Sequence, residues 1–515
     1  MKYVPTIGLE IHMELKTKTK MFCACLNDSE EKEPNKNVCP VCLAHPGALP
    51  VANLGAIRAV LKIGMALNGE IAEISKFDRK NYFYPDLPKA YQISQYDQPF
   101  VAGGYLEIDL PLESENEIPK KKKIRITRVH LEEDTGKLVH IIGDTYQISK
   151  GGVLPVVMSK PESYTLVDFN RAGVPLAELV TEPDITSGYE AQRFAEELRS
   201  ILRYLGVANA DMEKGELRCE VNISMALEGA DKYGTKVEIK NLNSFRSVGQ
   251  SIDYEIKRQT DVLEEGGKII QETRGWDEAK GETFSQRKKE EAHDYRYFPE
   301  PDLLPMAPKE MFNLEEINLE LPELPEAKRL RFMKEYGLKF KEIEVLVLEP
   351  AIAQYFESMV SELDTFEKAS EQHREKRIKL AYNYFMNDLQ SLMSANNIKI
   401  SDLKIDHENF AHLIDFVDRN MISSAAAKIV LAEMFEANRE CGDIIKEKGL
   451  IQVSDTKDLE GFIQKAIEEN PVAVEEFKGG KDNALQFLVG KCMALSKGKA
   501  NPKVIQELLR KNLSK

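Results

Sequence analysis

The periodicity of the apolar residues changes once along this chain, and that change restricts its fold more than any other feature. Through the first three hundred residues the apolar positions fall in short, turn-bounded runs, several of them alternating. Beyond Phe298-Pro299-Glu300-Pro301-Asp302-Leu303-Leu304-Pro305 they recur at helical spacing, in pieces of roughly 10–20 residues. Side chains alternate faces along a strand and repeat every 3.6 residues around a helix, so the two parts need different layers. Three prolines within eight residues end whatever precedes them, because proline lacks the N–H that would continue a helix or a sheet ladder. At 515 residues the chain also exceeds what a single core sustains. The expected fold class is therefore α+β. A large N-terminal mixed α/β cradle domain on an antiparallel sheet (residues 1–300) precedes a helical middle domain (301–404) and a helical C-terminal tail domain (405–515). The second boundary rests on the helix-start pattern Ile400-Ser401-Asp402.

Local patterns give this outline some detail. Between Thr6 and Leu15, the residues Leu9, Ile11, Met13 and Leu15 share one face while Glu10, His12 and Glu14 share the other. Helical spacing predicts helices over 53–67, 190–205 and 248–263, and a short strand over 237–245. Residues 105–110 and 124–131 read as a hairpin whose turn carries the run Lys120 to Lys123, a solvated loop on this reading.

Four of the seven cysteines lie within twenty residues, as Cys23-Ala-Cys25 and Cys39-Pro-Val-Cys42. Two short turns that each present a thiol pair suit a tetrahedral structural zinc site, with no coordination position left for chemistry. The alternatives are a disulfide pair, disfavoured inside a cell, and four free thiols, disfavoured by the clustering. His45 would be a fifth ligand and reads as packing. The N-terminus has no apolar signal region, and no stretch approaches the ~18 apolar residues of a membrane span. A cytoplasmic protein without membrane association is the expectation.

Net charge is −15, which over the whole chain argues against a polyanionic partner. The distribution tells against that average. Residues 491–515 carry Lys491, Lys497, Lys499, Lys503, Arg510, Lys511 and Lys515 against one acid, Glu507. A second basic run, Arg374, Lys376, Arg377 and Lys379, lies in the middle region. Such patches on helical appendages suit a polyanion, although ordinary helix C-terminal charge gives the same composition.

No phosphate-binding glycine loop, GxSxG elbow or HExxH helix occurs. What stands out are carboxylates and histidines in apolar surroundings: Glu10 and His12 on one strand face, the run His130-Leu131-Glu132-Glu133-Asp134, and Glu178 beside Leu179-Val180. Converging carboxylates suit a hard divalent cation such as Mg²⁺, though each group taken alone is as readily solvated or salt-bridged.

Longer runs resemble one family. They include Ile7-Gly8-Leu9-Glu10-Ile11-His12-Met13-Glu14-Leu15, the stretch from Ser75 to Asp86 (SKFDRKNYFYPD), Pro88-Lys89-Ala90-Tyr91-Gln92-Ile93-Ser94-Gln95 and His130-Leu131-Glu132-Glu133-Asp134. Leu217 to Ser224 (LRCEVNIS), Glu238 to Phe245 (EIKNLNSF), Asp294 to Asp302 (DYRYFPEPD), and the tail runs Phe487-Leu488-Val489-Gly490 and Lys497 to Pro502 continue the match. Together they resemble the B subunit of the aspartyl/glutamyl-tRNA(Asn/Gln) amidotransferase, across essentially the whole chain. That resemblance implies a ligase forming a carbon–nitrogen bond with glutamine as amido-nitrogen donor. Such a subunit uses ATP to phosphorylate the side-chain carboxylate of mischarged Glu-tRNA(Gln) or Asp-tRNA(Asn). Ammonia channelled from an amidase (A) subunit then converts it to Gln-tRNA or Asn-tRNA, within a complex that includes a small C subunit. The implied cofactors are ATP, Mg²⁺ and structural Zn²⁺.

The resemblance also assigns residues. Glu10, His12, Glu133 and Glu178 are the implied catalytic set, with His12, Glu133 and Glu178 on the Mg²⁺ positions. Lys80 and Lys89 are candidates for phosphate contact or for the polar lining near the channel exit. Cys23, Cys25, Cys39 and Cys42 fall on a zinc knuckle that only some members keep. The tail with Lys491, Lys497, Lys499, Lys503, Arg510 and Lys511 is the implied tRNA-binding part. The stretch from Lys137 to Pro161 is longer than the family pattern and reads as an enlarged surface hairpin. The competing reading is a non-catalytic tRNA-binding scaffold of the same complex.

Overall fold

The computed structural model describes residues 2–28, 30–112, 114, 117–141, 164–288, 295–366, 370–452, 456–496, 500 and 502–513. It divides into two compact units, Met1–Lys328 and Arg329–Lys515. The first combines strands and helices and the second is helical, so the class is α+β.

A ten-stranded sheet organises the first unit, with Tyr3–Glu14 near its middle. That strand pairs antiparallel with Pro175–Thr181 on one side and Leu217–Leu227 on the other. Lys121–Glu133 follows beyond the former and Val237–Leu242 beyond the latter, both antiparallel. One parallel pairing, between Val237–Leu242 and Glu272–Asp277, makes the sheet mixed. The alternation expected from the sequence sorts the two faces. Ile7, Leu9, Ile11 and Met13 are buried in a single core with Val129, Leu131, Ala177, Leu179, Val221 and Ile223. Each of the larger side chains gains about 1.5–3 kcal/mol on leaving water, which fixes which face turns inward.

Helices Leu54–Ala66, Gly188–Tyr204 and Phe245–Glu264 contribute to that same core. Their starts are set by Asn53, Ser187 and Ser244, whose side-chain oxygens accept from the otherwise unpaired N–H groups of the first turn. The last two helices meet where both carry glycine. A Cβ on Gly188 would stand 2.2 Å from the Gly249 carbonyl oxygen, so this approach excludes any side chain there.

One local expectation changes here. The run Lys120 to Lys123 is not a solvated turn: Lys121–Glu133 pairs with Tyr105–Asp109, and Lys121, Lys122 and Lys123 lie within the ladder. Neighbouring groups absorb their charge. Lys121 pairs with Asp109 at 2.7 Å, Lys122 with Glu190 at 2.8 Å, and Lys123 sits over the Tyr105 ring. In the lengthened segment, Lys137–Ile141 pairs antiparallel with Tyr164–Asp168; residues 142–161 of that stretch lie outside the described residues.

In the second unit the basic run in helix Glu371–Asn383 is not a free patch either. Arg374 donates to Asp364 and to the Glu335 carbonyl, buried Arg377 lies 3.6 Å from Asp364, and Lys379 pairs with Glu342. Acids on adjacent helices neutralise three of the four charges. Helices Thr456–Glu469, Asp482–Leu495 and Pro502–Leu513 share a core of their own, built on Leu459, Ile463, Leu485, Leu488, Ile505 and Leu509. No helix among the described residues is long and apolar enough to cross a membrane.

Candidate functional site

The polar face of the sheet carries the chemistry. Strand register places Arg218, His12, Glu178 and His130 in one row across four adjacent strands, with Glu10 beside Glu220 two residues further along. Directly opposed residues in antiparallel strands stand only ~5 Å apart, so register alone brings these groups together. The His12 Nε2 atom lies 3.3 Å from Glu178, 3.5 Å from Glu132 and 3.9 Å from Glu10. The His130 Nε2 atom approaches the same Glu178 oxygen, also at 3.3 Å. Each triad, Glu10–His12–Glu178 and His130–Glu132–Glu178, keeps its ligand atoms within 4.8 Å of one another.

These groups line a cleft of about 500 Å³ whose wall includes Lys80, Tyr82, Tyr295 and Tyr297. Lys80 belongs to a small sheet of Asp78–Asn81, Tyr91–Ser94 and Phe298–Pro299, and its Nζ lies 3.9 Å from Glu132. Burial opposes its positive charge, but Glu132 and Glu178 push its pKa up. Burial and the charges of Glu178 and Glu220 raise Glu10 to about 7. Burial works against the His12 imidazolium, yet its hydrogen bond to Glu178 and the charges of Glu178, Glu132 and Glu10 raise it to about 9. The reverse holds for Glu178: burial is outweighed by His130 and His12, and its carboxyl lies well below the usual range.

The structure groups the implied site residues unevenly. His12, Glu178 and Glu10 come together, and Lys80 joins them in the cleft. Glu133 does not: strand alternation turns Glu132 toward His12 and turns Glu133 to the opposite face. There Glu133 pairs with Lys89 at 2.6 Å and accepts from the Ile93 N–H at 3.0 Å. Both line a separate cavity of about 300 Å³ that also reaches Cys23, Cys42 and His45. Arg218, held to buried Asp134 at 2.7 Å, and Lys240, held to Glu220 at 2.7 Å, complete the polar face. His130, Glu132, Arg218 and Glu220 lie in runs that match the family but carry no assigned role from the sequence.

The four cysteines cluster as their spacing predicts, with all sulfurs within 4.8 Å of one another. Cys39 and Cys42 sulfurs are 3.8 Å apart, the separation that ~2.3 Å zinc–sulfur bonds give in a tetrahedron. A hydrogen bond with Cys23 overcomes burial, with help from the Cys39 N–H and Lys20, and brings the Cys42 thiol down to about 5. Lys20 is fully buried beneath the site; its Nζ donates to the Asn37 and Phe169 carbonyls and lies 3.9 Å from Cys42. The donor set can hold a structural zinc ion.

In the tail, Lys491 lies over the Phe487 ring, and Arg510 stands 3.8 Å from Asp482. Lys503 and Lys511 are on helix Pro502–Leu513, while Lys497, Lys499 and Lys515 lie outside the described residues.

Comparison with known proteins adds the family. Residues 5–313 match the GatB/GatE catalytic domain and residues 364–513 the GatB domain. The chain is similar to the aspartyl/glutamyl-tRNA(Asn/Gln) amidotransferase B subunit of Caldicellulosiruptor saccharolyticus, 46% identical over 518 residues and covering all of both chains. It is also 46% identical to the same subunit of Carboxydothermus hydrogenoformans over 514 residues, with 100% of this chain and 99% of that one covered. For the Persephonella marina subunit the identity is 45% over 513 residues, with both chains fully covered.

Proposed function

Given that the chain belongs to the family of aspartyl/glutamyl-tRNA(Asn/Gln) amidotransferase B subunits, we propose that its polar cleft is the ATP-dependent kinase site of that reaction. The observation that carries this is the meeting of Glu10, His12 and Glu178 on one sheet face within reach of one cation. In this reading the side-chain carboxylate of mischarged Glu-tRNA(Gln) or Asp-tRNA(Asn) enters the cleft. One of its oxygens attacks the γ-phosphorus of ATP, the bond from that phosphorus to the β,γ-bridging oxygen breaks, and ADP leaves with the electron pair. Ammonia from the amidase subunit adds to the acyl carbon, phosphate departs, and a proton is lost, leaving the amide.

Mg²⁺, when bound, neutralises phosphate charge that would otherwise repel the incoming carboxylate. Carboxylate oxygens with one imidazole suit such an ion, and His12, Glu178 and Glu10 would hold it. Lys80, an ammonium in the same cleft, is the phosphate contact. Lys89 and Glu133 form the polar lining on the side from which ammonia arrives. The cysteine cluster holds structural zinc, and the basic tail from Lys491 to Lys511 holds the tRNA.

Replacing Glu178 by Gln tests the assignment. In the complete complex with the amidase and small partner subunits and Glu-tRNA(Gln), ATP-dependent amidation falls at least 100-fold while glutaminase activity of the partner persists. Undiminished amidation would overturn the kinase reading and leave the chain as a tRNA-binding scaffold.

A further inference from the structure

We propose that Lys20 is the charge partner of the cysteine cluster: its buried ammonium offsets the negative charge left when four thiolates hold Zn²⁺, and so sets how tightly the metal is kept. This rests on the zinc reading of Cys23, Cys25, Cys39 and Cys42 and goes beyond it. Lys20 is 0% exposed, and lysine is among the residues least often buried without a partner. Its three side-chain N–H bonds are all accounted for, by the Asn37 carbonyl at 2.7 Å, the Phe169 carbonyl at 3.2 Å and the Cys42 sulfur at 3.9 Å. A neutral amine has one donor fewer, so this set of acceptors suits an ammonium.

A buried cation needs an opposite charge, and no carboxylate among the described residues pairs with this one. Buried Arg377 and Lys328, by contrast, lie 3.6 Å from Asp364 and 3.4 Å from Glu323. What Lys20 meets is sulfur. Its backbone N–H donates to the Cys25 carbonyl at 3.0 Å, so it is anchored to one thiol pair while its ammonium reaches the other. A clip that only joined the cysteine loop to residues 167–170 would be redundant, because five other hydrogen bonds already do so. Asn35 makes three of them, with Val167, Asp168 and Phe169, and Asn37 and Glu33 make one each with Asn170. Cysteine binds metal as the thiolate, and a cation held against the sulfur stabilises that form together with the ion it carries.

Competition for zinc between the full-length chain and a chelator of known affinity tests this. Lys20→Gln keeps N–H donors without the charge, and Lys20→Met removes both. Each is expected to give up zinc at a chelator concentration at least tenfold lower than the wild type. With Co²⁺ in place of zinc, the sulfur-to-metal charge-transfer bands of both variants should move to longer wavelength, since sulfur electrons leave more easily with no cation beside them. The bands that report tetrahedral cobalt should keep their positions, which shows that the site itself has formed. Should Lys20→Met fold poorly, Lys20→Gln alone decides. Wild-type zinc retention and an unshifted cobalt spectrum in Lys20→Gln would overturn the proposal and leave Lys20 as a hydrogen-bond clip. A wild-type chain that binds no zinc would overturn the zinc reading as well.

Discussion

Glu132 and Glu133 are adjacent in sequence and live in opposite environments. Glu133 has its charge met by Lys89, with both side chains largely out of water. Removing one partner of such a pair strands the other, so Lys89→Ala is expected to cost about 3 kcal/mol, read as a lower denaturant midpoint. Glu132 faces other carboxylates, and Glu132→Gln should leave the melting temperature unchanged or raise it, the signature of a residue kept for function. The pair also shows what was legible in the sequence. In Val129-His130-Leu131-Glu132-Glu133, the apolar residues mark the inward face, and alternation then assigns His130 and Glu132 outward and Glu133 inward. That signal is present in the residues themselves, whereas the family resemblance points to Glu133 for the cation. The cysteines were legible for a simpler reason: their ligand geometry is nearly local. On the proposed zinc site, chelation or replacing Cys39 by Ala should abolish one bound zinc per chain by elemental analysis and lower the melting temperature by several degrees.

At the scale of elements, what could not be read in advance is what depends on distant partners. The three helices were expected from their spacing, but Ser187 and Ser244 start two of them at 188 and 245, ahead of the 190 and 248 that apolar periodicity gives. A cap acts on the first turn, before the periodic apolar residues begin. The lysine run at 120–123 misled because Asp109 and Glu190, which draw it into the ladder, lie outside its own window. Helix Phe245–Glu264 offers a test of such long-range pairing. Glu255 is buried; burial opposes its charge, but hydrogen bonds from Arg258, Gln259 and Thr283 hold its pKa below the ordinary value. A depressed carboxyl contributes stability above its unfolded pKa of ~4.5 and loses it as pH falls through the lower folded value. Urea midpoints of the wild type should therefore drop below pH ~4.5 more steeply than those of Glu255→Gln. At neutral pH the variant should be the less stable of the two.

At the scale of the whole molecule, the basic tail is also a structural core. Cys492, Ile505, Leu509 and Leu513 are buried within it, so cutting the chain at residue 491 would remove packing together with charge. Substituting Lys491, Lys503 and Lys511 by Gln isolates the charge. Binding of tRNA should weaken, and the slope of log affinity against log salt should fall by up to about two to three, roughly one per lost phosphate contact. Unchanged slopes would remove the tail from the tRNA surface. The sheet's order carries a consequence for how the chain is made. Its first strand, Tyr3–Glu14, is completed on one side by residues 175–181 and on the other by residues 217–227. At ~5–20 residues per second, a ribosome needs on the order of 10–40 s to deliver the second partner. Throughout that interval at least one of the strand's backbone edges stays open, exposed to mispairing with other nascent chains. Nascent polypeptides halted near residue 210 should therefore bind holdase chaperones strongly, and those halted past the sheet should let them go.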